Sequence, residues 1–150
     1  MASSGFIVQC DGIVLWGTAS PAATDISDQV VSAKLTINNG VGSFTTLGTK
    51  WAKRTEGTRD ATFEFTFVPE IGASKGATLL NAWLFPASGK PGKRFFKVTT
   101  PDALTGSFVY EFSGYTQGST PMDHVGNGAE IVGMPVTVLV DGAVVQSLVI

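Results

Sequence analysis

The reactive side chains of this chain are few and badly spaced for catalysis. His124 is the single histidine and stands beside Asp123 in MDHVGNG. A general base needs an orienting partner and a reacting partner, and no recognisable spacing supplies them. Cys10 is the one cysteine. That excludes an internal disulfide and a cysteine-based zinc site, and it fits a small buried hydrophobe. Asp102, Asp123 and Asp141 lack the spacing of a calcium loop. Gly126-Asn127-Gly128 is followed by neither the Lys-Ser/Thr of a phosphate loop nor a helix start. These residues argue against an enzyme and imply no cofactor or metal. They offer contact chemistry instead: Trp51 lies among Lys50, Lys53, Arg54, Glu56 and Arg59, and Trp and Arg dominate the energy of binding surfaces.

Two strand-like runs hold that group. On the exit side Phe63, Phe65 and Phe67 alternate with Thr62, Glu64 and Thr66, which puts three rings on one face of a pleat. On the entry side Val41 to Leu47 suits a strand and ends at Gly48. Between them, 48–60 is too polar for core and too long for a two-residue hairpin, so a protruding loop is expected. Long structureless loops in compact domains are functional or disordered. The tryptophan among cations favours a docking element over a solvated excursion.

The rest of the chain reads as hairpins. Residues 6–16 form two apolar runs around Asp11-Gly12, a hairpin turn signal, and Thr18 to Ser27 reads as a linker or arm with little to bury. Gln29 to Asn38 alternates before Asn39-Gly40, which predicts a second hairpin. Ser74 to Phe85 predicts the one helix, with Ser74 as N-cap, Leu79, Leu80, Trp83 and Leu84 as its apolar stripe, and Pro86 ending it. Strands are predicted at 94–100 and 107–115, with a polar loop over 116–128. A terminal hairpin of 130–140 and 143–150 turns at Asp141-Gly142, with Pro135 marking its first strand as an edge or bulge. Val144, Val145, Leu148, Val149 and Ile150 at an open edge would be an aggregation hazard, and another subunit is one cover. The expected architecture is a mainly-β sandwich or barrel of hairpins with one flanking helix near 74–85. It forms one domain over 1–150, with an N-terminal arm or hairpin at 1–24.

At 150 residues one core is expected. Charged residues are only 15% of the chain, against a usual share of about 25%, so the free surface is either small or covered by partners. The N-terminus has no cation before its apolar stretch and fails as a signal peptide. No apolar run approaches the ~18 residues of a membrane helix, so synthesis in a cytoplasm without a membrane partner is expected. Residues 50–97 hold nine of the ten Lys and Arg, whereas 98–150 hold five acids and no cation. These blocks either intermix on the surface or form complementary faces for self-association. Lys90, Lys93, Arg94 and Lys97 beside Phe95 and Phe96 suit a nucleic-acid surface, but a pI near 5.2 does not. A carbohydrate-binding sandwich using Trp16 or Trp51 lacks a polar cluster to mark a sugar site.

The order of features resembles the major tail (tail tube) proteins of long-tailed bacteriophages. ISDQVVSAKLTINNG precedes SFTTLGTKWAKRTEGTRDATFEFTF, then come the helix TLLNAWLF, FVYEFSGYTQGS and GAEIVGMPVTVLVDG. The step Thr45, Thr46, Leu47, Gly48, then Gly57 and the Phe strand, is similar to that family's pattern over roughly residues 25–142. The resemblance implies hexameric rings that stack into a hollow tube in the virion tail, beside other tail proteins, with DNA passing through. It implies that the loop carrying Lys50, Trp51, Lys53, Arg54, Glu56 and Arg59 contacts the adjacent ring. A capsid decoration protein is the alternative of the same virion class. If DNA slides through the tube, the inner wall should be acidic or neutral. Asp102, Glu111, Asp123, Glu130 and Asp141 are the candidate supply of acid.

Overall fold

The computed structural model describes residues 12–48, 50–100, 106–122 and 133–150. Its strands are β1 (Ile13–Gly17), β2 (Thr24–Asp25), β3 (Val30–Phe44), β4 (Lys53–Phe67), β5 (Arg94–Thr99), β6 (Phe108–Ser119), β7 (Met134–Val140) and β8 (Val145–Leu148); one helix, α1 (Gly76–Leu84), lies between β4 and β5. All strand pairs are antiparallel, in one eight-stranded sheet of order β2-β1-β5-β6-β7-β4-β3, with β8 also paired to β6. The mainly-β class with one flanking helix is therefore the observed one, built as a single continuous sheet.

The alternation in β4 organises the core. Phe63, Phe65 and Phe67 are buried and pair with Val138, Val136 and Met134 of β7. Trp16 of β1, far from β4 in the strand order, meets Phe67 edge-on at 5.7 Å. The sheet must curl to bring those strands together. Phe96 of β5, Phe112 of β6 and the helical Leu80 and Trp83 fill the space between. Trp16 and Trp83 sit edge to face at 5.1 Å, an arrangement that adds about 0.5–1.5 kcal/mol per pair beyond area burial.

Several local expectations fail for tertiary reasons. Asn39-Gly40 does not turn the chain: β3 runs straight through it, with a register shift between Asn39 and Val41. A Cβ on Gly40 would sit 2.8 Å from the Thr58 carbonyl oxygen, so glycine here permits a close backbone approach inside a bulge. Much of the expected loop 48–60 is accordingly strand, since β4 begins at Lys53. Asp141-Gly142 is not a hairpin turn either. β7 and β8 both pair with β6 and run in the same direction, so this dipeptide is a break within one line of strand. Pro135 lies in an interior strand. Its carbonyl accepts from Thr120 N–H, past the last β6–β7 pair at Ser119–Val136, so its missing N–H costs the ladder nothing. β6 extends to Ser119, into the expected polar loop. The segment read as an arm with little to bury contains Ala22 and Ile26, both buried. Asp11 of the expected Asp11-Gly12 turn and the first strand of that hairpin lie outside the described residues.

The helix starts later than Ser74, and another residue caps it. Lys75 occupies the N-cap position but its side chain does not cap the helix. The buried Gln29 supplies the acceptor instead: its Oε1 takes the Gly76 N–H at 3.0 Å, and Ala77 N–H donates to the Glu70 carbonyl. Gly76 is required by contact, because a Cβ there would lie 2.3 Å from the Val68 carbonyl oxygen. Gln29 Nε2 also donates to Glu70, which pairs with Lys75 at 3.3 Å. The Gln29 hydrogen bond, with Lys75 second, holds the Glu70 carboxyl below its usual range.

Two outcomes follow. Phe63→Ala should lower unfolding free energy by about 3–5 kcal/mol in denaturant titrations, as expected for a fully buried ring. A depressed carboxylate contributes stability above its unfolded pKa and loses it as pH falls through the folded value. Glu70→Gln should therefore shallow the loss of urea midpoint below the ordinary carboxylate range and leave that slope unchanged near neutrality.

Candidate assembly surface

β7 accompanies β4 only from Thr62 to Phe67. Before Thr62, β4 pairs with β3 alone, through Asn38–Asp60, Asn39–Arg59, Val41–Glu56, Gly42–Thr55, Ser43–Arg54 and Phe44–Lys53. The result is a two-stranded ribbon, exposed on both faces from Asn38 to Phe44 and from Lys53 to Asp60. Cross-strand partners share a face. Asn39, Val41 and Ser43 with Arg59, Glu56 and Arg54 continue the face of Ile37, while Phe44 and Lys53 occupy the other. Leu47 and Trp51 stand at the tip, Trp51 being 84% exposed.

Of the six contact residues nominated from sequence, Lys50 and Trp51 lie in the connection, and Lys53, Arg54, Glu56 and Arg59 lie on β4. The structure brings Arg54, Glu56 and Arg59 onto one face and sets Lys53 apart. Sequence reasoning missed Ile37, Val41 and Phe44, apolar side chains left 45–62% exposed on β3. A turn assigned at Asn39-Gly40 hid their place on the ribbon.

The charge blocks intermix. Asp141 pairs with Lys93 at 2.7 Å and Glu111 with Lys97 at 3.5 Å. The hydrogen bond to Asp141 raises the Lys93 pKa. Asp102, Asp123 and Glu130 lie outside the described residues, as does His124. Arg94 stacks over Trp16 at 5.7 Å and Trp83 at 5.6 Å, and burial lowers its pKa. With Phe96 in the core as well, the second basic cluster forms no stacking platform for nucleic acid. The outer face of β3, β4 and β7 is rich in hydroxyls: Ser32, Lys34 and Thr36 stand opposite Thr66, Glu64 and Thr62, which stand opposite Pro135, Thr137 and Leu139. Among the described residues, no group of three His, Cys, Asp or Glu could hold a metal ion, and no helix is long and apolar enough to cross a membrane.

No protein-family model and no curated protein sequence matches the chain. Solved structures do. A chain of the sheath/tube terminator of an extracellular contractile injection system (PVC), in its extended state, is 14% identical with a TM-score of 0.75, covering 97% of this chain and 99% of that one. A chain of the PVC sheath–tube complex is 14% identical with a TM-score of 0.72, covering 97% and 94%. A chain from the tail of an empty gene transfer agent (GTA) particle, refined helically with C6 symmetry, is 12% identical with a TM-score of 0.63, covering 90% and 95%. This chain has the fold found in tail and tube components of phage-like particles.

Proposed function

We propose that this protein is a non-enzymatic tail tube subunit that assembles with itself into stacked, six-fold rings in a virion tail. The observation that carries this reading is the ribbon, a two-stranded extension of the core sheet with both faces bare and Leu47 and Trp51 at its tip. A two-stranded hairpin is marginal by itself in water, so a contact surface is the economical reason to project one. The sheath–tube complex that holds one structural neighbour and the C6 symmetry of the tail that holds another support the same reading. Lys50, Trp51, Lys53, Arg54, Glu56 and Arg59 reach the adjacent ring, other tail proteins close the ends, and the host cytoplasm is where the subunit is made.

The inner wall is acidic or neutral, as the passage of DNA requires. Glu111 and Asp141, two of the five acids considered for the wall, are ion-paired. The outer face of β3, β4 and β7 offers hydroxyls around one opposed Lys34 and Glu64. A wall of that kind gives a passing polyanion no net phosphate contacts, and each such contact would add affinity and drag.

Electron microscopy of the purified protein should show rings or tubes; compact trimers or monomers would overturn the proposal. Trp51→Ala should remove an anchor of about 2 kcal/mol or more per contact. Microscopy should then show shortened or absent tubes while circular dichroism stays that of the parent protein. Tubes of normal length would remove Trp51 from the ring contact.

A further inference from the structure

Among the described residues, two buried side-chain polar atoms have no hydrogen-bond partner: Arg94 Nε and Thr116 Oγ1. Buried polar groups are nearly always satisfied, so each exception calls for a partner such as a water or an ion. These two are neighbours. Arg94 opens β5 and pairs with Gly114, on the inward face that Phe96 and Phe112 share. Thr116 is the next residue of β6 on that face, just past the last β5–β6 pair. Such diagonal neighbours stand about 7–8 Å apart, within reach of a long side chain.

The guanidinium is held in place. It stacks over Trp16 at 5.7 Å and Trp83 at 5.6 Å, and Nη1 donates to the Lys93 carbonyl at 3.3 Å. A guanidinium is a planar fork of donors, and with Nη1 engaged the edge made by Nε and Nη2 is left. The side chain is half-buried rather than enclosed. Its cationic neighbours on β5 and just before it have carboxylates: Lys93 takes Asp141 and Lys97 takes Glu111. Arg94, between them, makes no ion pair among the described residues. A water would satisfy the two orphan atoms and leave the charge uncompensated, whereas charges taken out of solvent are normally paired. Two coplanar donors match the two oxygens of a carboxylate. The Thr116 hydroxyl adds a third donor from the adjacent strand.

We propose that Arg94 and Thr116 form a binding site for a carboxylate. The Nε–Nη2 edge takes both oxygens, and the Thr116 hydroxyl donates to one of them. The carboxylate belongs either to a small organic acid or to an acidic side chain of another chain, and both present the same group to the fork.

The two indoles that hold the guanidinium also report on it. Sodium acetate, titrated at an ionic strength fixed with sodium chloride, should change the tryptophan emission of dispersed protein saturably. Thr116→Val keeps the shape and removes the hydroxyl. It should raise the half-saturating acetate concentration about tenfold, the loss of one hydrogen bond to a charged group. Arg94→Lys keeps a cation and the background emission of Trp51 but removes the fork, and it should abolish the saturable change. No saturable change in the parent protein, or an unaltered titration in Thr116→Val, would overturn the site. If circular dichroism shows Arg94→Lys unfolded, the Thr116→Val titration decides alone. Repeating the titration on assembled protein separates the two sources. An undiminished response assigns the site to a free carboxylate, and a lost response assigns it to an acidic side chain of a neighbouring chain. The dispersed titration needs no assembly, so its failure sinks this site alone, and absence of rings sinks the tube reading alone.

Discussion

The structure depends on the one row of side chains that β4 turns inward. Phe63, Phe65 and Phe67 lie in the stretch of that strand held from both sides, Thr62 to Phe67, by β3 and β7, and their rings are what the curled sheet closes around. Trp16 must reach across to them, and Trp83 must descend from the helix to meet Trp16. That demand places the helix, whose first turn rests on the backbone of Val68 and Glu70 and on the Gln29 side chain rather than on a cap of its own. Trp83 then donates its indole N–H to the Gly92 carbonyl at 2.7 Å, and Arg94 closes over both indoles.

Where the Phe row ends, so does the body. From Asp60 back to Lys53 the same strand changes from Thr/Phe alternation to charged and small residues. It keeps one partner, and its side chains meet solvent on both faces. The ribbon is thus an extension of the core strand that carries no core of its own. Its conformation is held by the register set at Phe63–Leu35 and Phe65–Ala33, so the surface it offers is pre-organised by the body. Pre-organisation lowers the ordering cost of association.

The charges are arranged for a neutral body surface more than for a single-sign face. Lys93 with Asp141 and Lys97 with Glu111 join residues from the basic and the acidic parts of the sequence. Such exposed pairs add little stability. Their consequence is that the described body presents no single-sign face, whereas on the ribbon and its tip cations outnumber carboxylates.

Period-two alternation and helical spacing are local properties, and the sequence by itself determined what rests on them: the Phe row of β4, the helix around Leu80 and Trp83, the mainly-β class, and a charged, Trp-bearing excursion between two strands. Turn signals are local as well, yet a reversal depends on which strand lies alongside. Asn39-Gly40 and Asp141-Gly142 have the composition of hairpin turns. β4 lies along the first and β6 along the second, so ladder pairing carries the chain straight through both. The same reason hid the ribbon's apolar β3 side, whose exposure follows from where β7 stops alongside β4. Only the tertiary structure decided where those neighbours stop, because strand pairing joins residues far apart in the chain.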